Sequence, residues 1–174
     1  MYLLLFLYKG GYVVLKRMLD ISSIVMWLLS IILIMINFNE LPDKIPSHYN
    51  FAGNPDAWAT KTFVFMMPAL GLLIWLILHY IVRNPKLDKY IHVPSLYGQP
   101  NKAQIENAKL LIYFIKFEMM ALFTFLVTKD LYTALGVPFK LGVWETMFIL
   151  SVFGLTIIIF MVRNHKYDKK ENMK

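Results

Sequence analysis

The chain contains no cysteine. Disulfides, thiolate-held zinc, iron–sulfur clusters and thiol nucleophiles are thereby excluded. Charge is scarce: 17% of the 174 residues are Asp, Glu, Lys or Arg, against roughly 25% in soluble domains. The sequence shows no glycine-rich phosphate loop, no Ser–His–Asp order and no His-x-x-x-His pair, so the common nucleotide, hydrolase and zinc-protease signatures are missing. We expect no cofactor, no metal and no catalytic residue. What the chain has in excess is apolar surface. Its hydrophobic fraction is 58%, above the roughly 45–50% of soluble domains. That excess falls into blocks, each about as long as a bilayer core is thick.

The first seventeen residues, MYLLLFLYKGGYVVLKR, stand apart. Tyr2 to Tyr8 is too short to cross about 30 Å of hydrocarbon. Gly10-Gly11 is expected to break a helix. A secretory signal would carry its charges before the apolar run, not after it. Residues 1–17 therefore read as an extension. Lys9-Gly10-Gly11 can be encoded by a purine-rich run like those preceding bacterial start codons, which would put the true start at Leu15 or Met18. The other reading is a short segment lying in the membrane interface.

Four spans follow, within a membrane domain expected over residues 18–163. Ile21 to Phe38 carries no charge, and its length just crosses the bilayer. Phe63 to Val82 is the second, with Pro68 expected as a kink and Trp75 and His79 one turn apart on one face. Residues 84–102 read as a loop. A helical pattern then runs from Ala103 to Leu135 and stops at Gly136 and Pro138. It is too long for the bilayer, so its first two turns should project and the third span is about Leu111 to Val127. After a short loop, Lys140 to Glu145, comes the fourth span, about Thr146 to Val162. Residues 164–174 form a basic tail. The expected fold is an all-α integral membrane protein, a four-transmembrane-helix bundle with a short extended outer loop.

Lysine and arginine alternate along the flanks. Three precede the first span and two lie in the first loop; five lie in the middle loop and projecting turns, two in the next loop and five in the tail. The positive-inside rule places both termini and the middle loop in the cytoplasm and the first loop outside. The net charge of +7 thus reads as topology facing a lipid bilayer, with anionic lipid beside the tail and no nucleic acid.

The polar interruption Leu41 to Lys61, LPDKIPSHYNFAGNPDAWATK, is the stretch around which the chain looks organised. Its pattern of Pro42, Pro46, His48, Asn50, Gly53, Asp56, Trp58 and Lys61, running straight into a span, resembles an uncharacterised bacterial membrane domain. That domain is also found at the N-terminus of the SdpI-like immunity proteins. Glu106-Asn107-Ala108 is similar to the family pattern too, and the likeness covers about Leu19 to Gly136. The resemblance implies a multi-pass protein of the bacterial cell membrane. It would protect against, or sense, a membrane-active peptide through its outer loop. The family's better-known members carry further C-terminal spans, which this chain lacks.

The eight loop residues are candidate binding residues. Pro42 and Pro46 fix φ. Gly53-Asn54-Pro55 supplies a turn that could return Asp56 and Trp58 to His48. A histidine beside a carboxylate can exchange protons, bind a metal or act as a pH-sensitive contact, though one His and one or two Asp fall short of a zinc site. Three readings stay open. The loop could be a rigid cap, with Tyr49 and Trp58 at headgroup level. It could be a contact surface for a peptide or a partner membrane helix. Or it could be the site of an enzyme acting on lipid or peptide through His48 and Asp56. Lys116 and Glu118 are intramembrane candidates. Their spacing puts them on nearly opposite sides of the helix, with Lys116 expected to snorkel and Glu118 to make a polar contact within the bundle. His79 reads as an interface residue and Lys129-Asp130 as solvated.

Overall fold

The computed structural model describes residues 2–96, 98–137 and 142–172, with side chains from 11 to 168 among them. Pro138 and Lys140, invoked above as breaker and loop residue, lie outside the described residues. Four helices are long and apolar enough to cross a membrane: α1 (Tyr2–Asn37), α2 (Met66–Arg83), α3 (Lys102–Ala134) and α4 (Val143–Asn172). Between α1 and α2 stand two strands, β1 (Lys44–Tyr49) and β2 (Pro55–Thr60), then a 3-10 turn over Lys61–Phe65. The protein is a multi-pass, four-helix bundle with one β-hairpin. We call its two ends the hairpin end and the far end.

α3 touches each of the other three helices, whereas α1 and α2 meet each other only sparingly. The sequence explains this. α3 carries apolar residues on most of its circumference, interrupted by polar ones at many angles, so no single face is reserved for solvent or lipid. Two apolar clusters sit along it. At the hairpin end Ile34, Leu41, Ile45, Val64, Val127 and Leu131 are buried together. At the far end Leu19, Val82 and Tyr113 form the second cluster. The large apolar side chains left exposed on α1, α2 and α4, such as Ile36, Leu73 and Phe148, have lipid as their solvent.

Several local expectations change. α1 runs unbroken through Gly10 and Gly11. Each glycine costs a helix about 1 kcal/mol relative to alanine, and that is outweighed here because the segment is tied down. The Lys16 ammonium lies 2.9 Å from the Glu106 carboxylate, and Arg163 donates to the Tyr12 hydroxyl. Pro68 stands at the start of its helix rather than within it. It is the third residue of α2, where its missing N–H would have had no intrahelical partner, and its carbonyl accepts from Trp27 Nε1 at 3.0 Å. The stretch after α2 is not wholly irregular: Asn84 caps a 3-10 turn over Pro85–Tyr90. α3 begins at a capping box, in which Asn101 and Gln104 each accept the other's backbone N–H. α4 begins at Val143 and continues through residues expected as tail.

At 1.5 Å per residue α1 is about 54 Å long and α3 about 50 Å, well beyond a 30 Å hydrocarbon core. Their surplus projects at the far end. There Lys109 pairs with Asp88 at 2.7 Å, and Asp168 accepts from Ser95 and from the Leu96 N–H.

Candidate functional site

The hairpin is antiparallel, with Lys44 opposite Thr60, Pro46 opposite Trp58 and Tyr49 opposite Pro55. A register irregularity between Pro46 and His48 lets consecutive Ile45 and Pro46 both be buried while His48 faces out. The five-residue turn is built by Asn50. Its backbone N–H donates to the Asn54 carbonyl, its carbonyl accepts from the Gly53 N–H, and its side-chain oxygen accepts from the Ala52 and Asn54 N–H groups at 3.0 Å each. Gly53 has φ of 77°, a left-handed value that costs other residues about 1–2 kcal/mol.

His48 and Asp56 do come together, with Nδ1 2.5 Å from Oδ1. The pair is open to solvent, the side chains being 68% and 42% exposed. Beside it Trp58 and, at the turn, Phe51 are also exposed, at 58% and 73%. The other candidates divide differently. Pro42 is exposed and Pro46 is fully buried. The Lys61 ammonium lies 5.2 Å from the centre of the Phe38 ring, while the Lys61 N–H donates to the Asp43 carbonyl. Pro46, Asn50 and Gly53 thus shape the hairpin from within, whereas His48, Asp56 and Trp58 form its outer surface.

The inner face is latched to the bundle by residues that local pattern misread. Lys129 and Asp130 are not solvated. Lys129 is 3% exposed, and its ammonium donates to both oxygens of Glu145 at 2.8 and 2.9 Å. The Tyr49 ring lies over the same ammonium at 4.2 Å, and its hydroxyl donates to Asp130 at 2.7 Å. Tyr49 therefore acts as a clasp between the hairpin and α3. Burial holds its hydroxyl protonated, well above the usual tyrosine range, and the Asp130 hydrogen bond acts in the same direction. Glu145 lies in the first turn of α4, where the helix dipole favours a negative charge. One constellation joins β1, α3 and α4.

A second constellation lies toward the far end. Lys116 does not snorkel. It is 1% exposed and its ammonium lies 2.5 Å from Asp20 Oδ1. It is 3.3 Å from His79 Nδ1 and sits over the Tyr113 and Trp75 rings at 4.3 and 4.9 Å. The other Asp20 oxygen lies 3.5 Å from His79 and 3.7 Å from Arg83. Trp75 stacks on His79, ring centres 4.5 Å apart, as their one-turn spacing allows. Glu118 faces the opposite way, toward α4, and accepts from the Thr156 hydroxyl. Its second oxygen is buried without a hydrogen-bond partner among the described residues. Asp20 carried no signal of its own, because it stood just outside the expected first span. Among the described residues no three His, Asp or Glu side chains are grouped to hold a metal.

No curated protein and no solved structure matches the chain. Residues 25–72 are similar to a family described as a domain of unknown function, DUF1648. That stretch takes in the last third of α1, the whole hairpin and the start of α2, so the similarity centres on the hairpin.

Proposed function

We propose that this is a non-catalytic binding protein of the bacterial cell membrane, similar in role to the SdpI-like immunity proteins. Its hairpin engages a membrane-active peptide at the outer face, with protection or sensing as the outcome. The supporting observation is the division of labour within the hairpin. Its inner face is clasped to α3 through Tyr49 and Asp130, while its outer face leaves Trp58, Phe51 and the His48–Asp56 pair exposed. A rigid platform with exposed aromatics beside a polar pair suits a partner that is itself amphipathic. The lysine and arginine bias supports an orientation with this platform outside the cell and both termini in the cytoplasm.

Orientation is testable because the chain has no cysteine of its own. Asn54→Cys should react with an impermeant maleimide in intact cells, and Asn172→Cys only after lysis; the reverse pattern overturns the topology. For function, a strain lacking the gene should be sensitised to a membrane-depolarising peptide made by its own species. Wild type should restore resistance, and Trp58→Ala or His48→Ala should not, at equal membrane abundance. Equal sensitivity with and without the gene defeats the proposal.

A further inference from the structure

Because α1 and α2 each pack on α3 more than on one another, a cleft of about 330 Å³ remains between them. It lies at the far end, remote from the hairpin. Its rim is basic: Arg17 from α1 and Arg83, the last residue of α2. Its wall is apolar, formed by Ile21, Ile24 and Val25. Arg17 is exposed and makes no ion pair or hydrogen bond among the described residues. Arg83 makes a long contact to Asp20 at 3.7 Å and a hydrogen bond to Tyr113, yet its side chain is 64% exposed, so several of its five N–H donors remain available. Asp20 also lines the cleft, but Lys116 neutralises it from behind at 2.5 Å. Arg17, Arg83 and Lys116 set three cations against the one anion, Asp20. Trp75 lines the same cleft, and its Nε1–H has no acceptor among the described residues.

We propose that this cleft is a binding site for an anionic phospholipid. The phosphodiester lies between the guanidiniums of Arg17 and Arg83, and one acyl chain runs along Ile21, Ile24 and Val25. Two guanidiniums converging from different helices suit a phosphate, whose oxygens take planar, two-pronged donors. A basic pocket between membrane-spanning helices is a recurrent seat for such headgroups. Free phosphate would satisfy the arginines but leave the apolar wall uncovered. A lipid satisfies both. The site is independent of the hairpin reading.

The test uses the full chain purified in a neutral detergent. Binding of dioleoylphosphatidylglycerol and of dioleoylphosphatidylcholine is titrated by native mass spectrometry. The anionic lipid should bind more tightly. Each arginine should contribute about fivefold to that preference, so Arg17→Gln lowers it about fivefold and the Arg17→Gln/Arg83→Gln pair about 25-fold. Ile24→Trp, which fills the wall and keeps both charges, should also weaken binding of the anionic lipid. Lys86→Gln, a cation at the same end but off the cleft, should leave it unchanged. Arg17 is exposed and unpaired, so its variant tests the site even if the double variant fails to fold. Equal binding of the two lipids overturns the proposal. So does a preference that survives Arg17→Gln, or full displacement of the lipid by millimolar inorganic phosphate, which would mark a free-phosphate site.

Discussion

If Asp20 and Lys116 hold α1 to α3 as a single electrostatic unit, removing both should harm the protein less than removing either. The two groups are 8% and 1% exposed, and the contact is 2.5 Å long. Breaking a buried pair by deleting one partner typically costs about 3–5 kcal/mol, because the survivor is left charged and unpaired. Asp20→Asn should fall at the upper end of that range. Lys116 would keep a neutral amide oxygen, the His79 ring nitrogen at 3.3 Å and two aromatic faces, none of them an anion. Lys116→Met should fall nearer 3 kcal/mol, because His79 and Arg83 already stand within 3.7 Å of the Asp20 carboxylate and can close on it. The Asp20→Asn/Lys116→Met double variant leaves no charge in need of a partner, and its loss should be about 1 kcal/mol. The assay is equilibrium unfolding in mixed micelles titrated with sodium dodecyl sulfate, followed by helix content. A double variant more stable than both single ones fits the reasoning. Additive losses, or single losses under about 1 kcal/mol, refute it and would mean that the two groups are solvated independently.

Three further outcomes can be measured on the same material. Glu145→Gln should cost about 3–5 kcal/mol by stranding Lys129, and Tyr49→Phe about 1–2 kcal/mol by removing the Asp130 partner; thermal melts in detergent rank the two, and the reverse order would mean that the clasp hangs on the hydroxyl. Gly71→Ala should destabilise by about 1–3 kcal/mol, because its new methyl would meet the Phe123 ring at 2.7 Å, and Phe123→Leu should restore part of that loss in the same melt. His48→Ala and Asp56→Ala should each change stability by no more than about 1 kcal/mol, because an exposed pair is screened by water, yet each should lose the resistance phenotype. A large stability loss without a phenotype would make the pair a cap.

The four spans were legible because a bilayer imposes length and apolarity directly on sequence. The hairpin was legible in outline, since Gly53-Asn54-Pro55 could only be a turn and that turn returned Asp56 to His48. Its two faces were less so. Reading the loop as one surface hid that Pro46 serves the interior and Asn50 the turn, while Trp58 faces outward. The register irregularity after Pro46 decides which residues turn inward, and it depends on packing against Val64, Val127 and Leu131 rather than on the strand's own residues. Gly10-Gly11 misled for a related reason. Propensity argues about an isolated segment, whereas contacts from Tyr12 to α4 and from Lys16 to α3 come from elsewhere in the chain.

The charged residues of α3 show where a one-helix reading fails and what could replace it. Taken alone, Lys116 near the end of a span should snorkel, and Lys129-Asp130 at the other end should be wet. Each is instead met by a group from another element: Asp20 stands 96 residues away in sequence, Glu145 16 and Tyr49 81. The usable signal is depth, not spacing. An uncompensated charge inside a bilayer costs about 2.5–3.5 kcal/mol even on lenient scales, so each intramembrane cation calls for an anion at its own level on a neighbouring helix. Few anions qualify. Asp20 opens the first span just as Lys116 lies toward the same end of the third, and Glu145 opens α4 just where Lys129 closes α3. Matched by level, both pairs follow without any alignment, and α3 emerges as the helix on which the others hang. Glu118 faces no cation among the described residues, because Lys116, two residues away, points to the opposite side and is taken by Asp20; Glu118 accepts a hydroxyl from Thr156 and keeps one oxygen without a hydrogen bond among the described residues.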